Sequence, residues 1–373
     1  MAELPAYVDH AATSPLLPEA ERAFLEVSRV VGNASALHRA GQRARARLEE
    51  AREELAAAVD AHPSEVIFTS GGSEADSLAV LGGWRARPGR DRVLVSAVEH
   101  PAVLGAVERG AEPVPVTSQG VVDLEALAAV IDERVAVVSV MTANNETGVI
   151  QPLDEVGRLA RAAGAWQHCD AVQALGHLPL SFGESGADLM SLSGHKIGAP
   201  VGIGALIAKR DVKLAAIGLG GGQERTVRSG TLPVALAAAF AAAASAAVAA
   251  REDLAARWGI WGDRVAEVCA GLGGRVNSHE APHAPHIVNV TFPKARADDV
   301  LFLLDQRSIY ASVGSACRAG VHQPSEVLMA MGRSVDEASW TLRFSFGHST
   351  TEDDIARLCE ALPVVVPQAQ RAY

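Results

Sequence analysis

Apolar runs of six or seven residues recur along the first two thirds of the chain: RVLVSAV (92–98), VAVVSVM (135–141), WQHCDAV (166–172), DLMSLS (188–193) and IGALIAK (203–209). Amphipathic, helix-spaced stretches separate them. Short β-rich runs alternating with helices predict crossover units and an α/β fold with a mostly parallel sheet. An alanine-rich stretch over 234–271 predicts one long helix. Beyond it the pattern changes to HIVNVTF, a helix near Asp298–Gln306, IYASVG and WTLRFSF, which together read as a smaller α+β unit. We expect a large domain over 16–250 and a small one formed by 251–373, with segment 1–15 returning to it.

Composition narrows the function. The 373 residues suffice for two compact units. With 33 Lys+Arg against 44 Asp+Glu, the net charge of −11 argues against general affinity for nucleic acid or an anionic membrane. A small-molecule site is the better starting point. The apolar stretch Leu236 to Ala250 is short and alanine-dominated for a membrane span, and MAELPAYVDH has no signal-peptide pattern. The expectation is a soluble cytoplasmic protein. Four well-separated cysteines (Cys169, Cys269, Cys317 and Cys359) form no CxxC pair and no Cys/His ligand spacing, so neither a disulfide framework nor a metal site is expected.

In such a fold, chemistry gathers beyond the carboxyl ends of the strands. Three clusters fall there. TSGGSEAD (69–76) follows a β-run with two glycines and then Ser73 and Glu74 opening a helix, which is either a phosphate-binding turn or an ordinary capped helix. CDAVQ (169–173) places Asp170 at a strand end, where it either pairs with a protonated ring nitrogen or caps the next helix. SGHK (193–196) adds a lysine whose amine, if desolvated, becomes a nucleophile; a solvated surface lysine is the alternative. Phosphate turn, acid and strand-end lysine, in that order, suit pyridoxal phosphate.

The chain resembles the pyridoxal-phosphate-dependent cysteine desulfurases of the fold-type I aminotransferase superfamily, class V. The likeness runs through YVDHAATSP (7–15), TSGGSEAD, VEHPAVL (98–104), NNETGVIQP (144–152), DAVQ, SGHK, GGGQERTVRSGT (220–231), SVGSACRAG (312–320) and LRFSFGHSTTEDDI (342–355). It implies that Lys196 attaches the cofactor's aldehyde and then moves protons at the substrate Cα. Asp170 would hold the ring nitrogen protonated, His100 stack on the ring and assist proton transfer, and Gln173 bond the phenolic oxygen. Gly72, Ser73, Ser193 and His195 would surround the phosphate, with Thr231 reaching it across a homodimer interface. Arg343 would clamp the substrate carboxylate, assisted by Asn145 and Asn33.

Cys317 separates a desulfurase from the wider superfamily. It follows Gly314, Ser315 and Ala316, small residues of an exposed loop, which is poor ground for a structural thiol. The resemblance implies that it takes sulfur from L-cysteine, leaving alanine and a persulfide for an acceptor such as an iron–sulfur scaffold or a tRNA-thiolation enzyme. The spacing from Cys317 to Arg343 resembles the members with the longer catalytic loop. Ser73 stands where the family more often has threonine, Ser77 where asparagine is frequent, and Ala34 where proline is usual. Two other readings are a selenocysteine lyase and a non-catalytic scaffold of the same fold. Relative turnover of cysteine and selenocysteine separates the first, and cofactor colour separates the second.

Overall fold

The computed structural model describes residues 5–313 and 324–372. Its strands are β1 (Ala6–Tyr7), β2 (Val66–Thr69), β3 (Arg92–Ser96), β4 (Glu112–Val114), β5 (Val135–Ser139), β6 (Trp166–Asp170), β7 (Leu189–Ser193), β8 (Gly204–Ala208), β9 (Arg275–Val276), β10 (Ile287–Thr291), β11 (Ile309–Tyr310) and β12 (Thr341–Ser345). Seven of them form one sheet in the order β2-β8-β7-β6-β5-β3-β4. Strands β7, β6, β5, β3 and β4 run parallel, while β8 is antiparallel to both its neighbours. Each of the five apolar runs contains one of these strands.

The two-residue strand period sends alternate side chains to opposite layers. Phe68, Met190, Leu192, Ala205 and Ile207 face Leu48, Leu55 and Phe240 of helices Arg39–Ala58 and Val234–Gly271. Their neighbours Ile67, Leu189, Leu206 and Ala208 face the other way, against Ala75 and Leu78. Gly204 permits a close approach of backbone to backbone. A Cβ there would lie 2.7 Å from the backbone of Gly71, so only glycine lets the SGG turn settle over β8.

A second core gathers around β10 and β12, an antiparallel pair in which Asn289 sits opposite Arg343. β1 joins β11 in parallel register, and Ala6 and Val8 are buried in this second core, so the start of the chain lies with its last third. The 38-residue helix Val234–Gly271 serves both cores: Ala237–Ala244 lie against the first, and Trp258, Trp261 and Val265 against the second. It is the one described helix long and apolar enough to cross a membrane, but its buried positions are divided between these cores.

Candidate active site

A cavity of about 290 Å³ lies beyond the carboxyl ends of β6 and β7, between the two cores. The parallel strands end together there, so their last residues and the following turns share one edge. Asp170 is the final residue of β6 and Ser193 of β7; a single helical turn, Gly194–Ile197, then carries His195 and Lys196. Opposite them stand Arg343 on β12 and the segment 9–12.

The N-terminal segment holds the lysine. Lys196 Nζ donates to the carbonyls of Ala11 (2.6 Å) and Ala12 (2.8 Å), and Gln173 Nε2 also donates to Ala11 O (3.0 Å). Burial, with the positive charge of Arg343, pushes the Lys196 amine down to about 8, against the pull of Asp9 and Asp170. That brings a usually cationic amine within reach of its nucleophilic form near neutral pH.

Asp170 Oδ1 accepts from Val172 N at 2.9 Å. Burial raises its pKa, while His100, that backbone N–H and Lys196 oppose the rise. His100 caps the short helix Pro101–Leu104, its Nδ1 accepting from Ala102 N at 3.1 Å, which leaves the neutral ring's proton on Nε2. Burial lowers its pKa despite the nearby Asp170. His195 is pushed down to about 4, chiefly by burial and then by Lys196, and its Nδ1 lies 3.1 Å from Thr13 Oγ1.

Arg343, only 3% exposed, is gripped from two sides. Nη1 donates to Asn145 O and Nη2 to Asp9 Oδ1, both at 2.7 Å, while buried Nε has no partner. Asn145 is presented by a turn that Asn144 ties down: its Oδ1 accepts from Glu146 N and Thr147 N, and its Nδ2 donates to Val98 O.

Ten of the residues singled out in the sequence line this one cavity: Gly72, Ser73, His100, Asn145, Asp170, Gln173, Ser193, His195, Lys196 and Arg343. Two do not. Asn33 is exposed, and its Oδ1 is used within its own turn, accepting from Ser35 N at 2.9 Å. Thr231 is also exposed, just before the long helix, and is not brought to the cavity of its own chain. Cys317 lies outside the described residues. Sequence reading missed Asp9, Asp76 and Glu99, although all three fall inside quoted motifs.

The donor set fits pyridoxal phosphate. Gln173 Oε1, Asn145 Oδ1 and Arg343 Nε are buried with no partner among the described residues, so three polar atoms are available to a bound molecule. Gly72 packs closely against the ends of β6 and β7, where a Cβ would come 2.8 Å from Val172 Cγ2 and 3.4 Å from Ser193 Cβ.

Comparison with known proteins agrees with this geometry. The sequence matches the Aminotransferase class-V family over residues 6–358. The chain is 45% identical to the IscS-like cysteine desulfurase of Mycobacterium tuberculosis, covering 98% of each, and 37% identical to cysteine desulfurase NifS of Azotobacter vinelandii, covering 97% of this chain and 92% of that one. The fold superposes on a NifS-like protein from Rickettsia africae with a TM-score of 0.89 at 28% identity, covering 97% and 99% of the two chains. The chain therefore belongs to the class-V aminotransferases, a pyridoxal-phosphate-dependent family. Within them it is a member of the cysteine desulfurases.

Proposed function

We propose that this cavity performs the cysteine desulfurase reaction, with L-cysteine and the Cys317 thiol giving L-alanine and a Cys317 persulfide. Sulfur and electrons balance within that pair: the Cβ–S bond breaks and an S–S bond forms, so the substrate carbon is reduced as the sulfur is oxidised. Bound in the cavity, pyridoxal phosphate supplies an aldehyde for amine attachment and a ring that accepts the electron pair left at Cα.

The residues around it have distinct tasks. Lys196 would attach the cofactor and, once free, would carry the proton at the substrate Cα. Asp170 would supply the negative charge for the ring nitrogen. His100, with its proton on Nε2, would pack on the ring, and Gln173 would bond the phenolic oxygen. Ser73, Ser193 and His195, with Gly72, would hold the phosphate. Arg343, aimed by Asp9 and the Asn145 carbonyl, receives the substrate carboxylate with Asn145. The single observation that carries this reading is the depressed Lys196 amine facing Asp170 and Arg343 across one cavity.

Two further features complete the reading. The protein acts as a homodimer in which Thr231, exposed and not among the residues lining its own cavity, serves the second copy. The persulfide passes to an acceptor such as an iron–sulfur scaffold or a tRNA-thiolation enzyme. A cytoplasmic setting fits Cys169, Cys269 and Cys359, which are all free thiols.

The test is release of alanine and sulfide from L-cysteine, in the presence of a reducing thiol, by the parent and by Cys317→Ala. Equal release of both products by the parent, abolished in the variant while the bound cofactor keeps its visible absorbance, is the expected result. Full activity in Cys317→Ala would remove Cys317 from the mechanism.

A further inference from the structure

On the sheet next to the cavity, five polar side chains form a row. They are Glu99 after β3, Ser139 ending β5, His168 in β6, Ser191 in β7, and Asp76 on the helix Gly72–Ser77. None is more than 1% exposed. His168 spans the middle, with Nδ1 2.8 Å from Ser139 Oγ and Nε2 2.9 Å from Ser191 Oγ. Hydroxyls can donate or accept, so a neutral imidazole satisfies both contacts in either tautomer. Burial, which pushes this histidine down to about 3, keeps it neutral.

The acids at the two ends are unlike Asp170. Among the described residues, Oδ1 of Asp76 and Oε2 of Glu99 have no hydrogen-bond partner. Among the described residues no lysine or arginine pairs with either; the ring nitrogen at 3.6 Å from Asp76 Oδ1 is that of neutral His168. Glu99 Oε1 does accept from Met141 N at 2.6 Å, which satisfies one oxygen and leaves the other dry. A carboxylate buried without a cation and with an unmet oxygen is strongly disfavoured against its protonated form. Asp76 and Asp170 both line the cavity, but only Asp170 also faces His100 and Lys196, whose charges oppose the rise in its pKa.

We propose that Asp76 and Glu99 are held as neutral carboxylic acids, with His168 and the two serines positioning them, so that Asp170 carries the one negative charge beneath the cofactor ring. This rests on the reading of Asp170 as the ring-nitrogen partner. Three ionised carboxylates in one dry site would repel each other, and a proton forced onto Asp170 would deprive the ring nitrogen of its anion. Burial followed by the charge of Asp170 raises both acids, Glu99 to about 8, and outweighs the serine hydroxyls that favour their ionised forms. The other titratable groups facing the row are Cys169, pushed up to about 12 by burial and therefore neutral, and His100 and Lys196, which act on Asp170.

Infrared difference spectra of the holoenzyme read these protons directly. At neutral pH, Asp76→Asn and Glu99→Gln should each remove one carbonyl band of a protonated carboxylic acid. In the parent the Glu99 band should bleach as the pH passes about 8. In Asp170→Asn that bleaching should move to lower pH, because the neighbouring charge that retains the proton has gone. Asn and Gln imitate neutral acids, so both variants should bind the cofactor within about threefold of the parent. Where a variant is too unstable to purify, the deuterium shift of the same bands in the parent decides. Absence of such bands, an unmoved midpoint in Asp170→Asn, or a loss of cofactor affinity of about tenfold or more in both isosteric variants overturns the proposal. The visible spectrum of the cofactor tests Asp170 separately, since the infrared bands report the acids whatever is bound above them.

Discussion

The two walls of the cavity are held together in different ways. Asp170, Ser193, His195 and Lys196 come from the ends of adjacent strands, where β6 and β7 pair with Asp170 opposite Ser191. The sheet edge places their backbones, while the Lys196 amine and the His195 ring are met from the other side by Ala11, Ala12 and Thr13. The opposite wall is made by Asp9 and Arg343, 334 positions apart in the chain and 2.7 Å apart in space, with Ala11 and Ala12 reaching Lys196 from 185 and 184 positions away. That wall exists only where the β10–β12 core meets the seven-stranded sheet. The contrast separates a wall whose backbone depends on one sheet edge from a wall that depends on two cores meeting, with the Lys196 amine held between them.

Mutations can break this contrast or sharpen it. The largest effect is expected from Lys196→Ala, which removes the attaching amine and proton carrier together; desulfuration should fall by at least about 10²–10⁴-fold, with altered visible absorbance of the bound cofactor. Arg343→Lys replaces a planar fork with a point charge and should raise KM for cysteine by about 10–100-fold while the cofactor stays bound. If that variant also shed its cofactor, the two walls would not act separately. Asp9→Ala removes only the oxygen that aims Nη2 and should raise KM by about tenfold or less, with smaller change in kcat.

The mildest effect is a slope in stability against pH. Glu99 binds its proton more tightly in the folded protein than in the unfolded chain, 4.5 rising to about 8, so its contribution to stability falls as the pH climbs through that window. Lys196 acts in the opposite sense at higher pH. Its amine is pushed down from 10.5 to about 8, so the unfolded chain binds the extra proton, and this term recovers stability between those values. Denaturant unfolding of Glu99→Gln between pH 5 and 8 should therefore show a flatter profile than the parent, and parallel profiles would contradict the buried-acid reading.

Much of the molecule was legible in the residue order. Continuous apolar runs marked β3 and β5–β8 because strands covered on both faces need apolar side chains throughout. Short strands were less visible: β4 spans three residues and contains Pro113, and β9 spans two, too little to carry a period. The reversed direction of β8 was also hidden, since side-chain alternation is the same in either direction.

The sequence by itself determined the chemistry on offer: a strand-end lysine and acid, a glycine turn, an arginine late in the chain and a thiol between small residues. Their local spacing sets which backbone turns can form, and those turns carry the motif. Tertiary structure alone decided that Asp9 would aim Arg343, that the Ala11 and Ala12 carbonyls would hold Lys196, and that Asp76 and Glu99 would be buried within reach of the Asp170 charge. Burial and contact between distant segments are properties of the assembled cores, and these control how strongly each charge is desolvated and what opposes it.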